Sequence, residues 1–178
     1  MTDFHLDMAF DWDSLQKPGT GYAGFLQIGL VKVTGQGQGQ TGTPASFADI
    51  DDGDTLEFYL YDISEAPNND VKTAAIASDG SWLTFGAADS VTSVSAPVAG
   101  NPTTGATFGP RGSGSSSIFS RNPQDTYPEW SINASNGSQL SLSMANAGNF
   151  FFTLVVSVTN SQGTTKTFGV DPEMIVKS

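Results

Sequence analysis

Residues 138–176 read SQLSLSMANAGNFFFTLVVSVTNSQGTTKTFGVDPEMIV, and the periodicity of this stretch decides the fold class. Leu140, Leu142 and Met144 alternate with Ser141 and Ser143, the period of two expected of a strand with one buried face. Phe150, Phe152, Leu154, Val156 and Val158 share one face of a longer strand, while Phe151, Thr153, Val155 and Ser157 share the other. A strand that is apolar on one side and mixed on the other suits the middle of a sandwich. Asn160-Ser161-Gln162-Gly163 supplies turn residues, and Thr164 to Val170 returns as a further strand.

The same pattern extends toward the N-terminus. Phe4, Leu6, Met8, Phe10 and Trp12 alternate with His5, Asp7, Ala9, Asp11 and Asp13, which predicts a half-buried strand with an acidic outer face. Tyr22 to Val33 predicts a second long strand, with Gly24 and Gly29 as bulges or points of close approach. Gly35 to Pro44 is low in complexity and reads as a flexible loop. It contains Gly37-x-Gly39-x-x-Gly42, but no crossover helix follows, so the dinucleotide fingerprint lacks the context that makes it work. Leu56, Phe58 and Leu60 alternate with Glu57, Tyr59 and Tyr61. Short strands are expected over Val71–Ala77, Ser81–Phe85 and Val91–Val98, and a further one over Tyr127–Ala134. Asn136-Gly137 reads as a type I′ hairpin turn. Residues 99–126, rich in Gly, Pro and Ser, read as one long loop suited to binding.

No helix of normal length is patterned anywhere. About nine strands joined by hairpins predict an all-β fold, an antiparallel Greek-key sandwich. At 178 residues, positions 1–178 are read as a single β-sandwich domain. The chain has no cysteine, which excludes disulfides, thiolate metal sites and cysteine nucleophiles. With 18 acidic and 7 basic residues its formal charge is -11, and the few cations form no patch. Nucleic acid and anionic membrane are therefore not expected as partners. The N-terminus MTDFHLDMAF has neither the basic nor the apolar region of a signal peptide. The expected compartment is the cytoplasm, or the exterior if a leader has been removed.

Two resemblances sharpen the fold. Asn146-Ala147-Gly148-Asn149-Phe150-Phe151-Phe152 resembles the corner leading into the F strand of immunoglobulin-like domains, where Asp-x-Gly/Ala-x-Tyr-x-Cys is usual. Phe150 stands at the tyrosine position and Phe152 at the cysteine position, so the corner hydroxyl and the disulfide are absent. Gly53-Asp54 opening a strand, with Asp171-Pro172-Glu173 leading the last one, resembles small bacterial sandwich proteins of the inclusion-body (PixA/AidA-like) and DP-EP type. That resemblance implies a soluble, non-catalytic cytoplasmic protein.

Candidate chemistry is sparse. A serine triad needs a histidine base, and His5 is the only histidine; lying between Asp3 and Asp7, it reads as a solvated side chain. A blue-copper site needs a cysteine and two histidines, which the chain does not have. Asp49, Asp51, Asp52 and Asp54 cluster in one turn and are the candidate ligands for calcium, which takes several hard oxygens from a flexible loop. The competing reading is an acidic turn whose side chains cap backbone amides. Trp82, Tyr127 and Trp130, with Tyr22, are candidates for a sugar-stacking platform, against the ordinary reading of strand aromatics as core. Glu57, Asp62, Glu65 and Glu129 could supply the carboxylate pair of a glycoside hydrolase.

The leading expectation is a non-enzymatic bacterial structural protein that associates with itself. A carbohydrate- or calcium-binding module is the alternative, and a carboxylate-based glycoside hydrolase the second alternative.

Overall fold

A computed structural model describes residues 1–13, 24–34, 41–64, 71–76, 84–87, 107–114, 118–119, 125–134, 136–145, 147–170 and 173–178. In chain order the strands are β1 (Asp3–Phe10), β2 (Gly24–Phe25), β3 (Gln27–Thr34), β4 (Thr41–Ala45), β5 (Ile50–Asp51), β6 (Thr55–Asp62) and β7 (Val71–Ile76). They continue as β8 (Thr84–Ala87), β9 (Thr107–Gly114), β10 (Tyr127–Asn133), β11 (Ser141–Ser143), β12 (Gly148–Asn160), β13 (Thr165–Val170) and β14 (Glu173–Lys177). The described residues contain no helix, hence none long and apolar enough to cross a membrane.

The strands make two seven-stranded sheets. The first runs β4-β3-β1-β6-β10-β9, with β11 also paired to β6. The second runs β2-β13-β12-β14-β5, with β7 and β8 also paired to β12. β12 is the spine of the second sheet: its first half pairs with β14 and β8, its second half with β13 and β7. The long strand of the stretch that decided the fold class thus sits at the centre of one layer, while β11 from the same stretch joins the other.

Alternation places the core between the layers. Phe4, Leu6, Met8 and Phe10 of β1, Leu56, Phe58 and Leu60 of β6, and Trp130 and Ile132 of β10 all point inward. They join Val156 and Val158 of β12, Phe168 of β13 and Val176 of β14 in one apolar cluster. The Phe10 ring bridges the sheets, lying 5.4 Å from Phe168 and 6.1 Å from Trp130. The architecture is a β-sandwich.

Five sequence expectations change. The sheets are mixed rather than antiparallel, because β1 runs parallel to β6 along its whole length and two short pairs, β13–β2 and β14–β5, are parallel as well. Side-chain alternation is the same in either pairing, so periodicity could not reveal direction. The long strand read over Tyr22–Val33 breaks at Leu26: β2 joins the second sheet and β3 the first, with the Leu26 amide donating to Gly169 O across the break. Part of the Gly35–Pro44 loop is β4, an edge strand, where Pro44 is tolerated because an edge need not donate on both sides. Likewise, β9 lies inside the 99–126 stretch read as a loop, again at an edge. Its register to β10 skips Arg111 between Glu129 and Trp130, which makes a bulge beside Pro110. Finally, the Asn136-Gly137 turn is not type I′, since positive φ occurs at Gly137 (83°) and at no non-glycine described residue. Gly137 N donates to Ala134 O and Ala134 N donates to Ser138 O, the three-residue turn in which a single left-handed glycine suffices. The Asn160–Thr164 turn repeats it, with Gly163 at φ 80°. The strand expected over Val91–Val98 lies outside the described residues. The described residues form fourteen strand segments, several of them only two or three residues long.

Phe10 and Phe168 are both fully buried and in contact. Phe168→Ala is expected to lower unfolding stability by about 3–5 kcal/mol. With Phe10→Ala added, the loss should fall short of the sum of the two single losses, because the variants share one cavity. Urea titration of the two single variants and the double variant checks both statements.

Candidate functional site

The second parity of the first sheet carries the chemistry. Register lays its outward residues in rows: Val31, His5 and Glu57 in one, Gly29, Asp7, Tyr59 and Ser131 in the next, and Gln27, Ala9, Tyr61 and Glu129 in the third. A sheet face turned from the core is usually wet, yet here Asp7, Ala9, Tyr59, Tyr61 and Ser131 are all buried. Ala9, Tyr59 and Tyr61 form a second apolar cluster, against which Ile63, Phe119 and Tyr127 pack. The acidic outer face expected of β1 is therefore a covered one at Asp7.

Ile118 is part of the cover. A Cβ on Gly29 would collide with Ile118 Cδ1, so the isoleucine occupies the space a side chain would fill beside Asp7, the cross-strand neighbour of Gly29. Phe119 lies with its ring 6.0 Å from Tyr61, and its carbonyl accepts a hydrogen bond from the Tyr127 hydroxyl at 3.3 Å.

Next to this cover is a polar network. Glu57 Oε2 accepts from Tyr59 Oη at 3.0 Å and from Gln139 Nε2 at 2.8 Å, and lies 3.4 Å from His5 Nε2. The His5 ring lies tilted against Tyr59, the ring centroids 4.5 Å apart. His5 is thus half-buried and engaged with Glu57, rather than solvated among Asp3 and Asp7.

Asp7 is the anomaly. Its side chain is 3% exposed, and Oδ1 has no hydrogen-bond partner. Burial pushes its pKa up from 3.8 to about 7; the His5 charge pulls it down and Glu129 pushes it further up. A carboxyl group in this position holds its proton up to neutral pH. Asp62, at the end of β6, is raised as well: burial is the main cause, the Ser64 hydrogen bonds oppose it, and Asp11 and Asp13 add to it.

Comparison with family models, curated proteins and solved structures gives no match.

In the turn read as a calcium loop, Asp side chains accept from backbone amides. Asp49 Oδ2 accepts from Ser46 N at 2.7 Å, Asp54 Oδ2 from Asp51 N at 2.9 Å, and Asp54 Oδ1 from Thr2 N at 2.5 Å. Asp54 is buried, whereas Asp49, Asp51 and Asp52 are exposed. Among the described residues no three carboxylates or imidazoles are placed to hold a metal ion. Asp49 and Asp54 thus cap backbone amides.

The sugar platform does not assemble from the described aromatics. Trp130 is 4% exposed and packs against Phe10 in the core. Tyr127 is half-buried, its hydroxyl turned to Phe119 O. Trp82 and Tyr22 lie outside the described residues. Of the four hydrolase carboxylates, Glu57 and Glu129 share the outer face, Asp62 Oδ1 accepts from Ser64 N and Oγ, and Glu65 lies outside the described residues.

Sequence reasoning missed Asp7. The signal was present in its neighbours: Ala9, Tyr59 and Tyr61 share its parity, and two tyrosines in succession are unusual company for a solvated face.

Two variants test these assignments. The displacement of the Asp7 pKa from 3.8 to about 7 means that ionising the buried group costs the fold on the order of 4 kcal/mol. A raised carboxyl pKa takes stability away as pH climbs from the unfolded value through the folded one. Asp7→Asn should therefore match the wild type near pH 4, gain on it up to about pH 7, and hold a constant advantage above; denaturant melts across that range check it. Asp54→Ala, which removes the acceptors of the Thr2 and Asp51 amides, should cost about 1–3 kcal/mol. The same loss is expected with and without millimolar calcium in thermal melts.

Proposed function

We propose that the protein is a non-enzymatic β-sandwich of bacterial type that works by associating with copies of itself, joined through sheet edges. The observation that carries this reading is the employment of the reactive side chains. The only histidine is paired to Glu57, and Asp49, Asp54 and Asp62 accept hydrogen bonds from neighbouring backbone amides. Groups so engaged serve the fold before any reaction.

Edges support the mode of association. Among the described large apolar residues only Met1 and Ile175 are exposed, so the described surface shows no apolar patch to glue copies together. Strand edges remain, and β2, β4, β5 and β9 end the paths of their sheets. An edge strand offers backbone donors and acceptors to another chain. The finer assignments belong to the same proposal: an immunoglobulin-like Greek-key course, supported by the corner before β12, and a cytoplasmic home, consistent with a chain free of cysteine.

Charge sets the conditions. At -11, copies repel one another at low salt. Sedimentation velocity over a hundredfold range of concentration should show assembly that grows with concentration. It should strengthen at about 0.5 M salt, where the repulsion is screened within a few ångströms. A monomer throughout both series would overturn the proposal.

A further inference from the structure

We infer that Asp7 and the Ile118 side chain form a proton-operated latch on the outer face of the first sheet. With Asp7 protonated, Ile118 stays seated over Gly29; with Asp7 ionised, water enters between them and the face opens.

The inference starts from position. Gly29 is the cross-strand partner of Asp7 on β3, and Ile118 fills the space that Gly29 leaves. The carboxyl is thereby closed off on one side by a side chain that belongs to neither strand. Contact with a distant part of the chain can be broken without disturbing the ladder of β1 with β3 and β6.

The described residues offer an ionised Asp7 little support. Among the described side chains, the charged groups facing it are His5 on its own strand, Glu57 on β6 and Glu129 on β10. His5 already lies against Glu57. Glu129 repels a charge on Asp7. The Tyr59 hydroxyl donates to Glu57, and the Tyr127 hydroxyl donates toward Phe119 O and Asp125. β3 offers Gln27, Gly29 and Val31, and the described part of the cover offers Ile118 and Phe119, none of them charged. Oδ1 itself has no partner.

A neutral carboxyl can remain in such a place at modest cost, but an ionised one needs several donors. Water supplies them if it can reach the group. The sheet side is closed by hydrogen-bonded strands, and Ile118 is the described side chain seated beside Asp7 at Gly29, so the inferred entry is beneath Ile118. The rise of the Asp7 pKa toward neutrality puts the transition in a range where a modest change in pH is felt. Opening uncovers Tyr59 and Tyr61 together with Ala9, a surface unlike the rest of the described exterior.

Hydroxyl-radical footprinting of Tyr59, Tyr61, Ile118 and Phe119 reads the opening directly, with exposed Ile175 as internal reference. Between about pH 5.5 and about pH 8.5, labelling of the wild type should rise about threefold or more, with its midpoint near that of Asp7. Asp7→Asn, which cannot ionise, should stay at the low level throughout. Gly29→Ala, whose Cβ displaces Ile118, should label at the high level at both ends. No rise in the wild type, or an equal rise in Asp7→Asn, overturns the latch.

Discussion

The parallel pairing of β1 with β6 is the constraint on which the rest of the structure depends. These two strands run side by side from Asp3 opposite Thr55 to Phe10 opposite Asp62, at the middle of the first sheet. Because side chains alternate, this one register puts Phe4, Leu6, Met8 and Phe10 beside Leu56, Phe58 and Leu60 on the core side. It also puts His5, Asp7 and Ala9 beside Glu57, Tyr59 and Tyr61 on the other. A slip of one residue would carry Asp7 into the core and four large apolar groups out of it. The burial of those groups is worth several kcal/mol, which leaves no competing register.

The second layer answers the first through its own spine. β12 is long enough to take four partners, two on each flank, and its inward Val156 and Val158 meet the row from β1. Phe10 touching Phe168 ties the layers where a gap would be most costly. Lys166 adds a polar tie: its Nζ donates to Trp12 O and lies 4.7 Å from the Trp12 ring centroid. A cation over indole keeps its charge while its aliphatic stem covers apolar surface.

Set against this well-satisfied core, the outer face of the first sheet departs from the pattern. A carboxyl group without a partner for one oxygen lowers stability wherever it ionises, and an amide of the same shape would avoid that. Chains that carry such a group do so against their own stability, and the departures concentrate where a protein has something to do besides fold. The neighbouring Glu57 shows the contrast: it accepts from Tyr59 and Gln139 and faces His5, so its charge is supported where that of Asp7 is not.

The sequence by itself determined the all-β class, the inward sets of β1 and β6, the central place of β12 and the glycine turns at Gly137 and Gly163. All of these are local, since they follow from alternation over a few residues and from the backbone freedom of one. Tertiary structure alone decided three other things. It set the direction of β1 against β6, because parallel and antiparallel pairs share the same period. It made strands of the Gly- and Pro-bearing pieces at residues 41–45 and 107–114, because an edge position accepts residues whose own propensity is poor. And it turned Asp7 from a surface acid into a buried one, because what covers a sheet face is brought there by residues more than a hundred positions away. Burial is a property of the neighbours, and the neighbours of Asp7 are adjacent only in space.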